Sequence, residues 1–207
     1  MQKVKILLVG NDQVGKTALS FYLCNNYGKH TYERTIGVDL CLKNININGD
    51  RVQLHIYDSS GSKRYQHISE IYIKTSEVVI LIYSVTDRQS FIDIEYWIEC
   101  VSKIKSLNNL VIIGNKSDQG SFREISYNDG KELADKYQAS FFECSAINGT
   151  NVELAFKTAA EKVINQYISE GYLDSDNVDF TIFNDYDTDD ISCWGITLEV
   201  LKKLIGL

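Results

Sequence analysis

No apolar run in the chain approaches the ~18 residues that a membrane-spanning helix needs. The opening Met1-Gln2-Lys3-Val4-Lys5 leads straight into a strand pattern, so no signal sequence is expected. The five cysteines (Cys24, Cys41, Cys100, Cys144, Cys193) are scattered and contain no Cys-x-x-Cys pair. That spacing argues against structural disulfides and zinc and fits a reducing cytoplasm. Basic residues are missing from the whole of 171–192, where Asp174, Asp176, Asp179, Asp185, Asp187, Asp189 and Asp190 fall. These seven aspartates equal the net charge of −7, so the rest of the chain is close to neutral and nucleic-acid binding loses its usual electrostatic basis. Proline is absent altogether, a bias that carries no mechanism.

What is present suffices for one packed domain and a tail: 207 residues, 44% of them hydrophobic. Strand patterns fall at about 3–9, 39–48, 51–57, 77–84, 110–115 and 140–144, and helical ones at about 16–26, 67–75, 89–105, 127–138 and 151–169. Asn48-Gly49-Asp50 marks a tight hairpin, which makes one strand pair antiparallel. Val78–Ile82 and Leu110–Ile113 are apolar throughout, as strands covered on both faces are. The expected fold is a doubly wound α/β domain at 1–170, with a six-stranded, mostly parallel sheet and one antiparallel strand. Its ligand is expected at the carboxyl ends of the strands.

At the first strand end stands Gly10-Asn11-Asp12-Gln13-Val14-Gly15-Lys16-Thr17, between Ile6–Val9 and the helical Ala18–Leu23. Backbone N–H groups and the helix start can cradle phosphate oxygens there, with Lys16 on the β- and γ-phosphates and Thr17 on Mg²⁺. An ordinary turn that happens to hold two glycines and a lysine is the alternative. Asp58-Ser59-Ser60-Gly61 follows the third strand, where Asp58 can reach Mg²⁺ and Gly61 can offer its N–H to a γ-phosphate. Asn115-Lys116-Ser117-Asp118 follows the fifth strand. Asp118 can accept both hydrogen bonds from the N1–H and 2-amino group of guanine, a donor pair that adenine lacks. Asn115 can tie this loop to the phosphate loop, and the Lys116 stem can lie along the base. Cys144-Ser145-Ala146 then offers a backbone N–H to guanine O6.

Taken in order with Thr35-Ile36-Gly37, these motifs resemble the Ras-superfamily small GTPases, and Tyr32–Asp39 resembles the Rab family, over residues 3–169. The resemblance implies a GTP/GDP switch requiring Mg²⁺. The nucleotide set is Asp12, Gln13, Val14, Gly15, Lys16, Thr17, Ala18, Thr35, Gly61, Asn115, Lys116, Asp118, Ser145, Ala146 and Ile147. The metal set is Thr17, Thr35 and Asp58. Hydrolysis falls to Lys16, Thr35, Gly61 and, in place of the family's Gln, Ser62. Thr35 closes on Mg²⁺ and γ-phosphate in the triphosphate state and lets go after hydrolysis. Effector proteins are expected to bind through Thr35–Leu40 and Tyr57–Tyr72, alongside an exchange factor and a GTPase-activating protein. A monomer at the cytoplasm, or peripheral at a cytoplasmic membrane face in membrane traffic, fits the family.

The departures are as informative. Ser62 is too short to orient a water in line with the γ-phosphate, and Lys63 follows where an acid is usual. Asp12 and Gln13 replace small residues of the phosphate loop; a carboxylate there adds negative charge and can obstruct an incoming arginine. Slow intrinsic hydrolysis is expected, on the order of ~10⁻⁴ s⁻¹ or below, although Rab-activating proteins can bring their own glutamine and arginine. A hydrolysis-deficient nucleotide-bound adaptor is the alternative. Gly28 stands where the family stacks Phe on guanine, leaving Tyr27 or His30 to cover the base. Leu40, Tyr57 and Tyr72 occupy the aromatic triad that Rab effectors read, and core packing is the other use for them. The acidic 171–207 tail is expected to be solvated, or else an acidic-aromatic recognition segment. It ends without a prenylation motif. It carries a short amphipathic segment (Ile196, Val200, Leu201, Leu204, Ile205) suited to docking on protein or, less readily, on a membrane.

Overall fold

A computed structural model describes residues 2–28, 34–62 and 66–170. The acidic tail at 171–207, His30 and Lys63 lie outside the described residues. The elements run β1 (Gln2–Val9), α1 (Lys16–Asn25), β2 (Val38–Ile47), β3 (Asp50–Ser59), α2 (Gln66–Thr75), β4 (Val78–Ser84), α3 (Arg88–Ile92), α4 (Ile94–Ser102), β5 (Leu110–Asn115), a 3₁₀ turn (Gly120–Phe122), α5 (Tyr127–Lys136), β6 (Ser140–Glu143) and α6 (Val152–Ser169).

The sheet order is β2-β3-β1-β4-β5-β6; β2 pairs antiparallel with β3 and every other neighbour is parallel. The β2–β3 turn needs two left-handed residues, and Asn48 (φ 53°) and Gly49 (φ 97°) supply them. Strands β4 and β5 are buried at every position, as their apolar runs require. Along β1 the side chains alternate between faces. Val4, Ile6 and Leu8 meet Leu19, Phe156 and Val163 from α1 and α6. Leu7 and Val9 meet Ile73, Trp97, Ile98 and Val101 from α2 and α4. The crossovers therefore cover both faces and leave the loops after β1, β3, β5 and β6 at one end of the sheet.

Two expectations need correction. The helix expected at 89–105 divides at Asp93 into α3 and α4, and its end falls at Ser102. Asp87 caps α3 by accepting from the Gln89 and Ser90 N–H groups, and the Asp93 carboxylate takes bonds from Gln89 and from the distant Asn11. A disulfide joins Cys24 of α1 to Cys41 of β2, Cα atoms 7.0 Å apart. Scattered spacing gave no sign of it, because the pairing comes from α1 lying against the edge hairpin.

At the end of the sheet remote from these loops, Glu77 fastens three elements. The Lys5 N–H donates to Glu77 Oε2 at 2.6 Å, the Tyr167 hydroxyl donates to Glu77 Oε1, and Lys105 Nζ donates to the Glu77 carbonyl at 3.3 Å. The last turns of α6 are pinned to the start of β4 in this way.

Candidate functional site

The loop after β1 is shaped by backbone that few residues adopt. A Cβ on Gly10 would stand 2.1 Å from the Ile82 carbonyl, so the chain there lies directly on β4. Gln13 takes a left-handed φ of 63° and Gly15 one of 96°. For Gln this is an uncommon conformation; the side chain supplies no relief that the structure shows. α1 begins at Lys16, so the loop amides and the free N–H groups of its first turn face the same space.

Lys16 is buried, and its Nζ donates to the carbonyls of Gly10 at 3.0 Å and Asn11 at 2.7 Å. Burial lowers its pKa to about 8, against the charges of Asp58 and Asp12. Beside it three oxygens converge. Thr17 Oγ1 donates to Asp58 Oδ2 at 2.6 Å and lies 2.9 Å from Thr35 Oγ1, which stands 3.4 Å from the same carboxylate oxygen. Asp58 is 2% exposed, and its Oδ1 has no hydrogen-bond partner among the described residues. Burial raises its carboxyl, with the Thr17 hydrogen bond and the Lys16 charge opposing. Two hydroxyls and one under-satisfied carboxylate are a hard-oxygen donor set of the kind that takes Mg²⁺ alongside phosphate oxygens. The residues present fit that ion.

Thr35 reaches this cluster from a segment tied down on its far side: the Ser60 N–H donates to the Gly37 carbonyl at 2.8 Å. Gly61 presses on the phosphate loop, where a Cβ would meet the Asn11 carbonyl carbon and the Asp12 nitrogen at 2.3 Å. Ser62 follows, its N–H 3.4 Å from Ser60 Oγ. Asp12 is not an uncompensated charge: Arg34 Nη2 lies 3.4 Å from its Oδ2, and the Gln13 N–H donates to its Oδ1 at 3.0 Å. Arg34 was missed in the sequence because nothing in its spacing connects it with a loop twenty-two positions earlier.

The loops after β5 and β6 assemble next to the same cradle. Asn115 Nδ2 donates to the Val14 carbonyl at 2.9 Å, and a Cβ on Gly15 would fall 2.2 Å from that nitrogen. Asn115 Oδ1 is buried with no partner among the described residues. Lys116 has φ 67°, and burial lowers its pKa against the charges of Asp87 and Asp118. Asp118 is exposed. Ser145 is buried and its Oγ accepts from the Ile147 and Asn148 N–H groups, each at 3.2 Å, which closes a tight turn around Ala146. Gly28 backs onto this turn; a Cβ would stand 2.9 Å from the Ile147 carbonyl. Tyr27 packs edge-on against Phe21 and is 61% exposed.

Two supports were not visible in the motifs. Arg123 makes a two-point pair with Glu143, Nη1–Oε1 2.6 Å and Nη2–Oε2 2.9 Å, and donates to the Ile125 carbonyl at 3.0 Å. It braces the loop after β5 against the strand that feeds Ser145. Asn11, a motif position with no assigned role, bonds to Asp93 and Trp97. Both sets are distant in sequence, so no local spacing announces them.

On the surface beside Thr35, Ile36 is 77% exposed and Leu40 and Leu42 are exposed. Tyr57 and Tyr72, half-buried, stack at 5.0 Å between centroids and also pack on the core. Among the described residues no helix is long and apolar enough to cross a membrane.

The Ras family model matches residues 5–165. The chain is similar to Ras-related protein RIC1 of Oryza sativa subsp. japonica, 35% identical over 80% of this chain and 83% of that one. It is similar to GTP-binding protein YPT1 of Saccharomyces cerevisiae, 36% identical over 77% and 78% of the two chains. Ras-related protein Rab-1A of Dictyostelium discoideum is 34% identical over 78% and 81%.

Proposed function

The chain belongs to the Ras family, is of Rab type and is a GTPase, and from that premise we propose that it is a Mg²⁺-dependent GTP/GDP switch whose intrinsic hydrolysis is slow. The observation that carries binding is the convergence of Lys16, Thr17, Thr35 and Asp58 within hydrogen-bond distances of one another or of one loop. In this reading Lys16 and the amides of Asp12–Ala18 hold the phosphates, and Thr17, Thr35 and Asp58 hold the ion. Asp118, with Asn115, Lys116, Ser145, Ala146 and Ile147, holds guanine. The bound ion supplies charge neutralisation at the phosphates.

Slow hydrolysis rests on Ser62, whose hydroxyl reaches less far than the family's glutamine. Residues 1–170 form the nucleotide domain, and 171–207 are a separate acidic appendage. Effectors read Thr35–Leu40 and Tyr57–Tyr72 in the triphosphate state, an exchange factor and an activating protein set the cycle, and the role lies in membrane traffic at a cytoplasmic membrane face.

Nucleotide displacement tests the binding half. A fluorescent GDP bound in Mg²⁺ should be displaced by GTP and GDP and spared by ATP, and Asp118→Ala should abolish the preference. Equal displacement by ATP would remove the guanine reading.

A further inference from the structure

Asn11 has its two polar ends engaged by one distant segment. Its Nδ2 donates to Asp93 Oδ2 at 2.6 Å, and its Oδ1 accepts from Trp97 Nε1 at 2.9 Å. Asp93 sits at the junction of α3 and α4 and is held in turn by Gln89 Nε2 at 2.8 Å. Trp97 is 3% exposed and packs in the apolar cluster that includes Val9 and Ile73. The side chain of Asn11 is therefore anchored to the core of the sheet's outer layer, not to its own loop.

Its main chain faces the nucleotide cradle. The Asn11 carbonyl accepts from Lys16 Nζ at 2.7 Å. The same carbonyl carbon lies 2.3 Å from where a Gly61 Cβ would stand, so this peptide is the seat on which the loop after β3 rests. Gly10, the residue before Asn11, has φ 147° and lies against the Ile82 carbonyl, which fixes the chain up to Asn11. The carbonyl belongs to the Asn11–Asp12 peptide and turns with the Asn11 backbone, whose side chain the Trp97 and Asp93 bonds hold in place.

We infer that Asn11, clamped by Trp97 and Asp93, is a positioning residue that aims the carbonyl holding Lys16 and seats Gly61, and so governs how firmly the phosphate loop retains guanine nucleotide. The inference rests on the nucleotide-binding reading above. Asn11 touches no reacting atom in this account; it acts through Lys16 and Gly61. The bonds are short and partly buried, and each contributes enough to change an equilibrium several-fold.

The test is release of fluorescent GDP from the full chain, with melting of the nucleotide-free protein recorded alongside. Asn11→Ala removes both bonds; Trp97→Phe keeps most of the ring packing and removes one donor. Asn11→Asp sets a carboxylate against Asp93. The exchange Asn11→Asp with Asp93→Asn restores complementarity with reversed polarity, Trp97 donating as before. Asn11→Ala and Trp97→Phe should release GDP about five-fold faster, Asn11→Asp faster still, and the exchange variant within about two-fold of the wild type. Wild-type release rates in Asn11→Ala and Trp97→Phe would overturn the inference, as would an exchange variant as fast as Asn11→Asp. Wild-type protein that binds no GDP would overturn the nucleotide reading and this inference together, whereas retained wild-type binding with unaltered variants removes the inference alone.

Discussion

The Thr17 hydroxyl donates to one oxygen of Asp58 at 2.6 Å, while the other Asp58 oxygen is buried without a partner among the described residues. A carboxylate left in that state gains when a cation arrives. Asp58→Asn should therefore make GDP release insensitive to chelation of Mg²⁺, while the nucleotide-free protein melts at or above the wild-type temperature. Release rates with and without EDTA, beside a thermal melt, check both halves.

The same group fixes a pH dependence. Burial raises the Asp58 carboxyl above its ordinary value, and only the ionised form holds Mg²⁺. Protons and Mg²⁺ compete for that carboxylate, so Mg²⁺-supported retention of GDP should fade as pH falls, and at lower pH the higher the Mg²⁺ concentration. Titrating release against pH at fixed Mg²⁺, with Asp58→Asn as the flat control, shows whether it does.

Glu77 predicts a stability slope of opposite use. Burial raises its carboxyl, against hydrogen bonds from Tyr167 and the Lys5 N–H and the nearby charges of Lys5 and Lys105. The folded chain then binds this proton more tightly than the unfolded chain. The resulting contribution is full below the unfolded value and is lost as pH rises through the raised folded one. Glu77→Gln should flatten that part of the melting-temperature profile measured between about pH 4 and about pH 8.

Arg123 braces the loop after β5 against β6, the strand that feeds Ser145. Arg123→Ala leaves Glu143 without its two-point partner, a loss of about 2 kcal/mol that corresponds to about 4–8 °C in a domain of this size. Calorimetry gives the shift directly, and GDP release should accelerate with it.

Much of the fold and the motif placement was legible because local chemistry dictates it. Strands buried on both faces read as unbroken apolar runs in β4 and β5, Asn48-Gly49 could only be a tight left-handed turn, and the phosphate-loop and Asn115–Asp118 motifs fall at strand ends. What stayed hidden is made by the packing. Asn11 meets Asp93 and Trp97 across more than eighty positions, Arg34 folds back onto Asp12, and Cys24 meets Cys41 because a helix lies on a hairpin. Gln13 in a left-handed conformation shows the loop geometry overriding residue preference.

The most direct test of the account is single-turnover GTP hydrolysis by the Mg²⁺-loaded full chain, beside Ser62→Gln. A wild-type rate on the order of ~10⁻⁴ s⁻¹ or below, raised about ten-fold or more in Ser62→Gln, is the predicted result. A wild-type rate at or above ~10⁻² s⁻¹ would contradict it.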